Sequence, residues 1–187
     1  MMGIVDDNLF LARPIPNGFT FTLASRLGQM LSMCEKEFGP RDQSFTILGV
    51  EFREGVPQVW FPGNCGQVVV QLGREAMQEP VRALYQLAHE CVHLLDPHPG
   101  GGNVLEEGTA VRFAQQYLAS VGRSMRTGDK RYDDASQLVG QLLTVRGDAV
   151  KELRRLHGSL AKIIAEQIGS ICPELDGLIR QALVRSF

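Results

Sequence analysis

The segment that most narrows the fold runs from Glu79-Pro80 to Asp96-Pro97 and holds His89-Glu90-Cys91-Val92-His93 in its second half. Val81, Leu84, Tyr85, Ala88, Val92 and Leu95 recur at helical spacing, so the stretch predicts one amphipathic helix with its stripe buried. Proline is tolerated in the first turn, where the Glu79 carboxylate meets the positive end of the dipole. The residue before Pro97 disfavours helix and closes the segment. His89 and His93 stand at i and i+4, one above the other on one face. They border the apolar stripe, where imidazoles cost desolvation energy unless bonded or metallated. Two imidazoles at this spacing grip one metal ion, with Glu90 on its open side. A neutral imidazole nitrogen suits zinc, two ligands leave positions free, and a carboxylate beside a bound water can take its proton.

A Pro/Gly-rich turn, Asp96 to Gly102, leads into a second helix that opens with Asn103-Val104-Leu105-Glu106-Glu107-Gly108. Asn103 reads as the N-cap, and Glu106, three residues on, fits the capping-box acid. Glu107 lies about 100° further round, on the side continued by Ala110, Val111 and Ala114. It is the acid expected to face inward toward the histidines, where a carboxylate needs a partner and a metal supplies one.

His89-Glu90-Cys91-Val92-His93, a 13-residue spacer and Glu107-Gly108-Thr109-Ala110 together resemble the gluzincin group of zinc metallopeptidases. In its aminopeptidase branch a Glu-Gly-x-Ala segment gives the third zinc ligand from a neighbouring helix. The resemblance covers roughly residues 65–120 and implies His89, His93 and Glu107 as Zn2+ ligands and Glu90 as general base. It also implies a Tyr or His downstream as the oxyanion donor, for which Tyr132 and His157 are the candidates. Three departures stand out. The spacer is shorter than in the large aminopeptidases, Val111 replaces an Asp that some members carry, and no Gly-x-Met-x-Asn segment is found.

Rival ligand sets fit less well. His98 stands five residues after His93, where a metzincin pattern wants six with a glycine midway. Cys65 suggests the peptide deformylases, but neither their Glu-Gly-Cys-x-Ser segment nor their glycine-rich loop is found. Cys65 reads instead as a loop or strand-end thiol, and Cys91 as core packing.

The chain of 187 residues is one domain's worth and long enough to bury a core. We therefore expect a single zincin-like domain over 1–187, with an irregular segment over 1–18. A net charge of −2 and the lack of a long basic run argue against nucleic-acid or membrane-surface partners. No apolar run approaches the roughly 20 residues that span a bilayer, and the N-terminus does not read as a signal peptide. Four scattered cysteines suit reduced thiols, so a cytoplasmic protein is expected.

Periodicity predicts a first helix over 20–38, stopped by Gly39-Pro40. Strands are expected over 45–52, 56–61 and 67–72, close enough for an antiparallel meander. The motif helices fall near 80–95 and 103–121, and a polar loop covers 122–130. Further helices fit 133–146, 148–169 and 173–185. Strands first and helices after predict an α+β fold, a small antiparallel sheet followed by a mostly helical domain. Gluzincin-like folds carry an edge strand beside the cleft at the place of Gln67-Val68-Val69-Val70-Gln71. An exposed edge binds an extended peptide by strand addition, and the same residues also read as an ordinary core strand.

The expected function is a zinc-dependent peptidase acting on a peptide or protein substrate. Two alternatives stand beside it: an inactive zincin-fold protein that binds zinc or a protein partner, and a deformylase-like amidase.

Overall fold

The computed structural model describes residues 9–63 and 66–187. A small hairpin, β1 (Pro14–Ile15) and β2 (Gly18–Phe19), occupies part of the segment expected to be irregular. Helix α1 (Leu23–Phe38) starts at a capping box, with Thr22 and Ser25 each bonding the other's backbone N–H. It stops at Gly39, whose φ of 96° side chains rarely adopt, just before Pro40. Leu23, Leu27, Met30, Cys34 and Phe38 form its buried stripe.

The three strands lie within a residue or two of the expected spans, but they are not a meander. β3 (Thr46–Arg53), β4 (Gln58–Trp60) and β5 (Gln67–Gly73) assemble in the order β3-β5-β4. β5 runs parallel to β3 and antiparallel to β4. The reason is burial. Val68, Val69, Val70 and Leu72 are at most 8% exposed, and a run apolar on both faces takes the centre of a sheet. The more exposed β3 and β4 take the edges. The edge reading of Gln67–Gln71 is thereby corrected: hydrogen bonds flank β5 on both sides, and the edges belong to β3 and β4.

Helix α2 (Pro80–His93) packs against α1, β5 and α3 (Val104–Ser120), and α3 packs in turn against α4 (Lys130–Val145). Seven helices occur among the described residues, and the fold is α+β. The helix expected over 148–169 is two: α5 (Ala149–His157) ends at Gly158, where φ is 81°, and α6 (Ala165–Ile171) begins after a 3-10 turn at Leu160–Lys162. A left-handed glycine caps a helix and turns the chain aside. The last helix, α7 (Gly177–Leu183), is shorter than expected because Asp176 caps it from the turn after Pro173. No helix among the described residues is long and apolar enough to cross a membrane.

Two packing details fix the site. At Gly108 a Cβ would stand 2.3 Å from the Ala135 carbonyl oxygen, so only glycine lets α3 and α4 approach this closely. Arg154 of α5, 8% exposed, donates to the carbonyls of Phe38, Gly39, Pro40 and Leu95 and to the Asp96 carboxylate. It joins the end of α1 to the turn that follows the motif helix.

Candidate metal centre

His89 and His93 project from the last turns of α2 with ring centroids 5.1 Å apart. Facing them is Glu107, in the first turn of α3. Its Oε2 lies 3.2 Å from His89 Nε2 and its Oε1 3.6 Å from His93 Nε2. The three residues each offer one ligand atom, all within 4.8 Å of one another. Nitrogen and oxygen ligands at about 2.0–2.1 Å around a tetrahedral ion lie roughly 3.3 Å apart. The observed spacings bracket that value, so the three side chains could hold a metal ion.

Charge in the cluster is balanced by these contacts. Burial alone would raise the Glu107 pKa, but hydrogen bonding to His89 and the charges of both histidines hold it below the usual carboxylate range. Burial would lower the His93 pKa; the hydrogen bond it donates to Glu106 and the charges of Glu107 and Glu90 lift it instead to about 10. Glu90 is 4% exposed. Its burial, reinforced by Glu107 and Glu106 and opposed by the two histidines, pushes its carboxyl up. A carboxyl shifted upward holds a proton more readily than a free glutamate does.

Glu106 does not complete the capping box. Asn103 Oδ1 accepts from the Glu106 N–H at 2.9 Å, but the Glu106 carboxylate turns away from the cap. Its Oε1 lies 3.0 Å from His93 Nδ1, and its Oε2 3.2 Å from His98 Nε2. Burial would raise its pKa, yet the two histidines hold it at about 2. The reason is positional: the loop after α2 brings His98 over the start of α3, and two ring nitrogens outcompete one backbone N–H for a carboxylate.

The cluster opens into a cleft of about 820 Å³. One wall comes from β4 and its flanks, including Val56 and Trp60, which are 74% and 43% exposed. Met125, Tyr132, Phe187 and the Pro99–Gly102 loop also line the cleft. The rings of Tyr132 and His89 stand near perpendicular with centroids 5.8 Å apart, and Tyr132 packs on Phe187 at 4.7 Å. Burial and the charges of Glu107 and Glu90 raise its phenol pKa, keeping the hydroxyl protonated as a donor. His157, the other candidate donor, is an exposed residue at the end of α5 and does not line this cleft. The structure thus gathers His89, Glu90, His93, Glu107 and Tyr132 and leaves His157 outside. Cys65 lies outside the described residues, and Cys91 is buried in the core as expected.

Several cleft residues escaped sequence reading. Tyr85 was counted in the apolar stripe, yet it lines the cleft, and its buried hydroxyl has no hydrogen-bond partner among the described residues. Its position one turn before His89 is a signal that could have revealed it. Phe187 had none: a β-bridge between Asn103 and Ser186 and the bond from Phe187 N–H to the Gly102 carbonyl carry it there.

No protein-family model, curated protein or solved structure matches the chain.

Proposed function

We propose that this protein is a metal-dependent peptidase with Zn2+ held by His89, His93 and Glu107. The observation that carries this reading is the convergence of three ligand atoms and the buried carboxyl of Glu90 in one open cleft. The donor set of two imidazoles and a carboxylate suits zinc and leaves a position for water or substrate. A zinc ion bound there lowers the pKa of water and polarises a carbonyl oxygen.

The chain's own residues do the rest. Glu90 accepts the proton of the attacking water, and the resulting O–C bond turns the amide carbonyl into a tetrahedral centre. Glu90 then returns that proton to the amide nitrogen as the C–N bond breaks, so it ends the cycle ionised. Tyr132 donates a hydrogen bond to the oxyanion. β4 has only β5 beside it among the described residues, so its free edge is open to an extended peptide. Main-chain bonding along that edge holds the peptide across the cluster. The apolar side chains around it receive residues flanking the scissile bond.

The test is Glu90→Gln, which removes the proton acceptor and keeps the shape. Zinc content measured by metal analysis stays stoichiometric, and cleavage of a peptide library is lost; retained cleavage overturns the mechanism. In the same assay Glu107→Ala loses metal far more than Glu106→Ala. Stoichiometric zinc in a wild-type protein that cleaves nothing would favour a zinc-dependent binding module instead.

A further inference from the structure

We propose that Glu106 is the positioning residue of the metal centre and that His98 couples it to the wall of the cleft. His93 is held at both ring nitrogens by consecutive residues of α3: Glu107 Oε1 stands 3.6 Å from Nε2, and Glu106 Oε1 3.0 Å from Nδ1. A carboxylate only accepts, so Nδ1 carries the proton and donates it, which turns the Nε2 lone pair toward the ligand cluster. Fixing the ring and its tautomer in this way also raises ligand basicity.

Glu106 is itself fixed from the cleft side. It is 3% exposed, and His98 Nε2 donates to its two oxygens at 3.3 and 3.2 Å. His98 lies on the loop that lines the cleft. The far end of that loop leaves no room for a side chain beside the same group: a Cβ at Gly102 would sit 2.5 Å from Glu106 Oε2 and 3.1 Å from Glu107 Oε1. The loop is thereby tied to the Glu106 carboxylate through His98, and what displaces it from within the cleft displaces the group that aims His93. A capping role alone requires none of this, because a capping carboxylate would bond the Asn103 N–H and not two imidazoles.

The proposal rests on the metal centre and not on peptide hydrolysis, and its readouts are metal readouts, so the two readings fail separately. Zinc affinity is measured by chelator competition, ligand geometry by the visible spectrum of the cobalt-substituted protein, and folding by thermal denaturation in chelator. Glu106→Gln is expected to weaken zinc binding about 10–100-fold and to alter the cobalt spectrum. His98→Asn gives a smaller loss. The double variant is no weaker than Glu106→Gln alone, because both act through one carboxylate.

Should Glu106→Gln not fold, His98→Asn and Gly102→Ala still perturb Glu106 from outside, and both must shift the cobalt spectrum. Zinc affinity within twofold of wild type in folded Glu106→Gln overturns the proposal. So does a double variant whose loss equals the product of the single losses, or an unchanged spectrum in both loop variants.

Discussion

Gly108 follows Glu107 and sits where α3 meets α4, which makes Gly108→Ala a sharp test of how the cleft is built. The added methyl would lie 2.3 Å from the Ala135 carbonyl oxygen, 2.6 Å from its carbon and 2.7 Å from Val139 Cγ2. Ordinary contact begins near 3.4 Å, so the closest pair is short by about 1.1 Å. Two of the three obstacles are backbone of α4 and cannot rotate away. The helices must therefore part, at the overpacking cost of about 1–3 kcal/mol. For a chain of this size that lowers the melting temperature by roughly 2–12 °C. The displaced helix carries Tyr132, one turn before Ala135, whereas His89, His93 and Glu107 stay on α2 and α3. On the function proposed above, zinc stoichiometry is retained while kcat for peptide cleavage falls, by up to about 100-fold for a shift near 1 Å. Differential scanning calorimetry, metal analysis and steady-state kinetics on one preparation read all three. Wild-type melting temperature together with wild-type kcat would refute the reasoning, since it would mean that α3 and α4 are not in contact as described.

Arg154→Met leaves Asp96 and four backbone carbonyls without their shared donor. The Asp96 side chain is 26% exposed and keeps part of its hydration, so the loss is that of hydrogen bonds from a charged donor, about 1.5–3 kcal/mol, and urea denaturation reads it as a lowered midpoint. A midpoint within error of wild type would show that the guanidinium is dispensable. In chelator, thermal stability also depends on pH in a direction fixed by the cluster. The Glu106 pKa is lowered to about 2, so its contribution is complete above the ordinary carboxylate range and fades as pH falls toward 2. The His93 pKa is raised to about 10, so its contribution is complete below its ordinary 6.5 and fades as pH rises through 10. Glu90, with a raised pKa, likewise favours the acid side. Stability therefore declines from pH 6.5 toward 10, and added zinc, which displaces the His93 proton, flattens that decline. A flat profile over this range in chelator would count against the His93–Glu106 pairing.

Much of the candidate site was legible in the chain because its signals are local. The i, i+4 spacing of His89 and His93 is set by helix geometry, and the brackets at Pro80 and Asp96-Pro97 act within a turn. Glu107 rather than Glu106 faces both imidazole Nε2 atoms, as the 100° step from the Asn103 cap implied. That same step misjudged Glu106, which finds no work at the cap because His98 arrives from a loop whose path no local rule describes. The sheet failed for a related reason. Alternation and turn residues locate β3, β4 and β5 but carry no pairing partner, and the unbroken Val68-Val69-Val70 run was the one sign that β5 belongs between the other two.

The amino-acid sequence by itself determined a metal-ready helix, a second helix with an inward acid, and the α+β succession of elements. Each is encoded within a few residues by periodicity, capping or a proline. Tertiary structure alone decided that Tyr132 faces His89 while His157 lies outside, that β5 lies between β3 and β4, and that Phe187 and His98 reach the cleft. Those choices depend on contacts between distant segments, such as Gly108 against Ala135 and Ser186 against Asn103. Packing selects such contacts by fit across the whole core, and neighbouring residues in the chain hold no record of them.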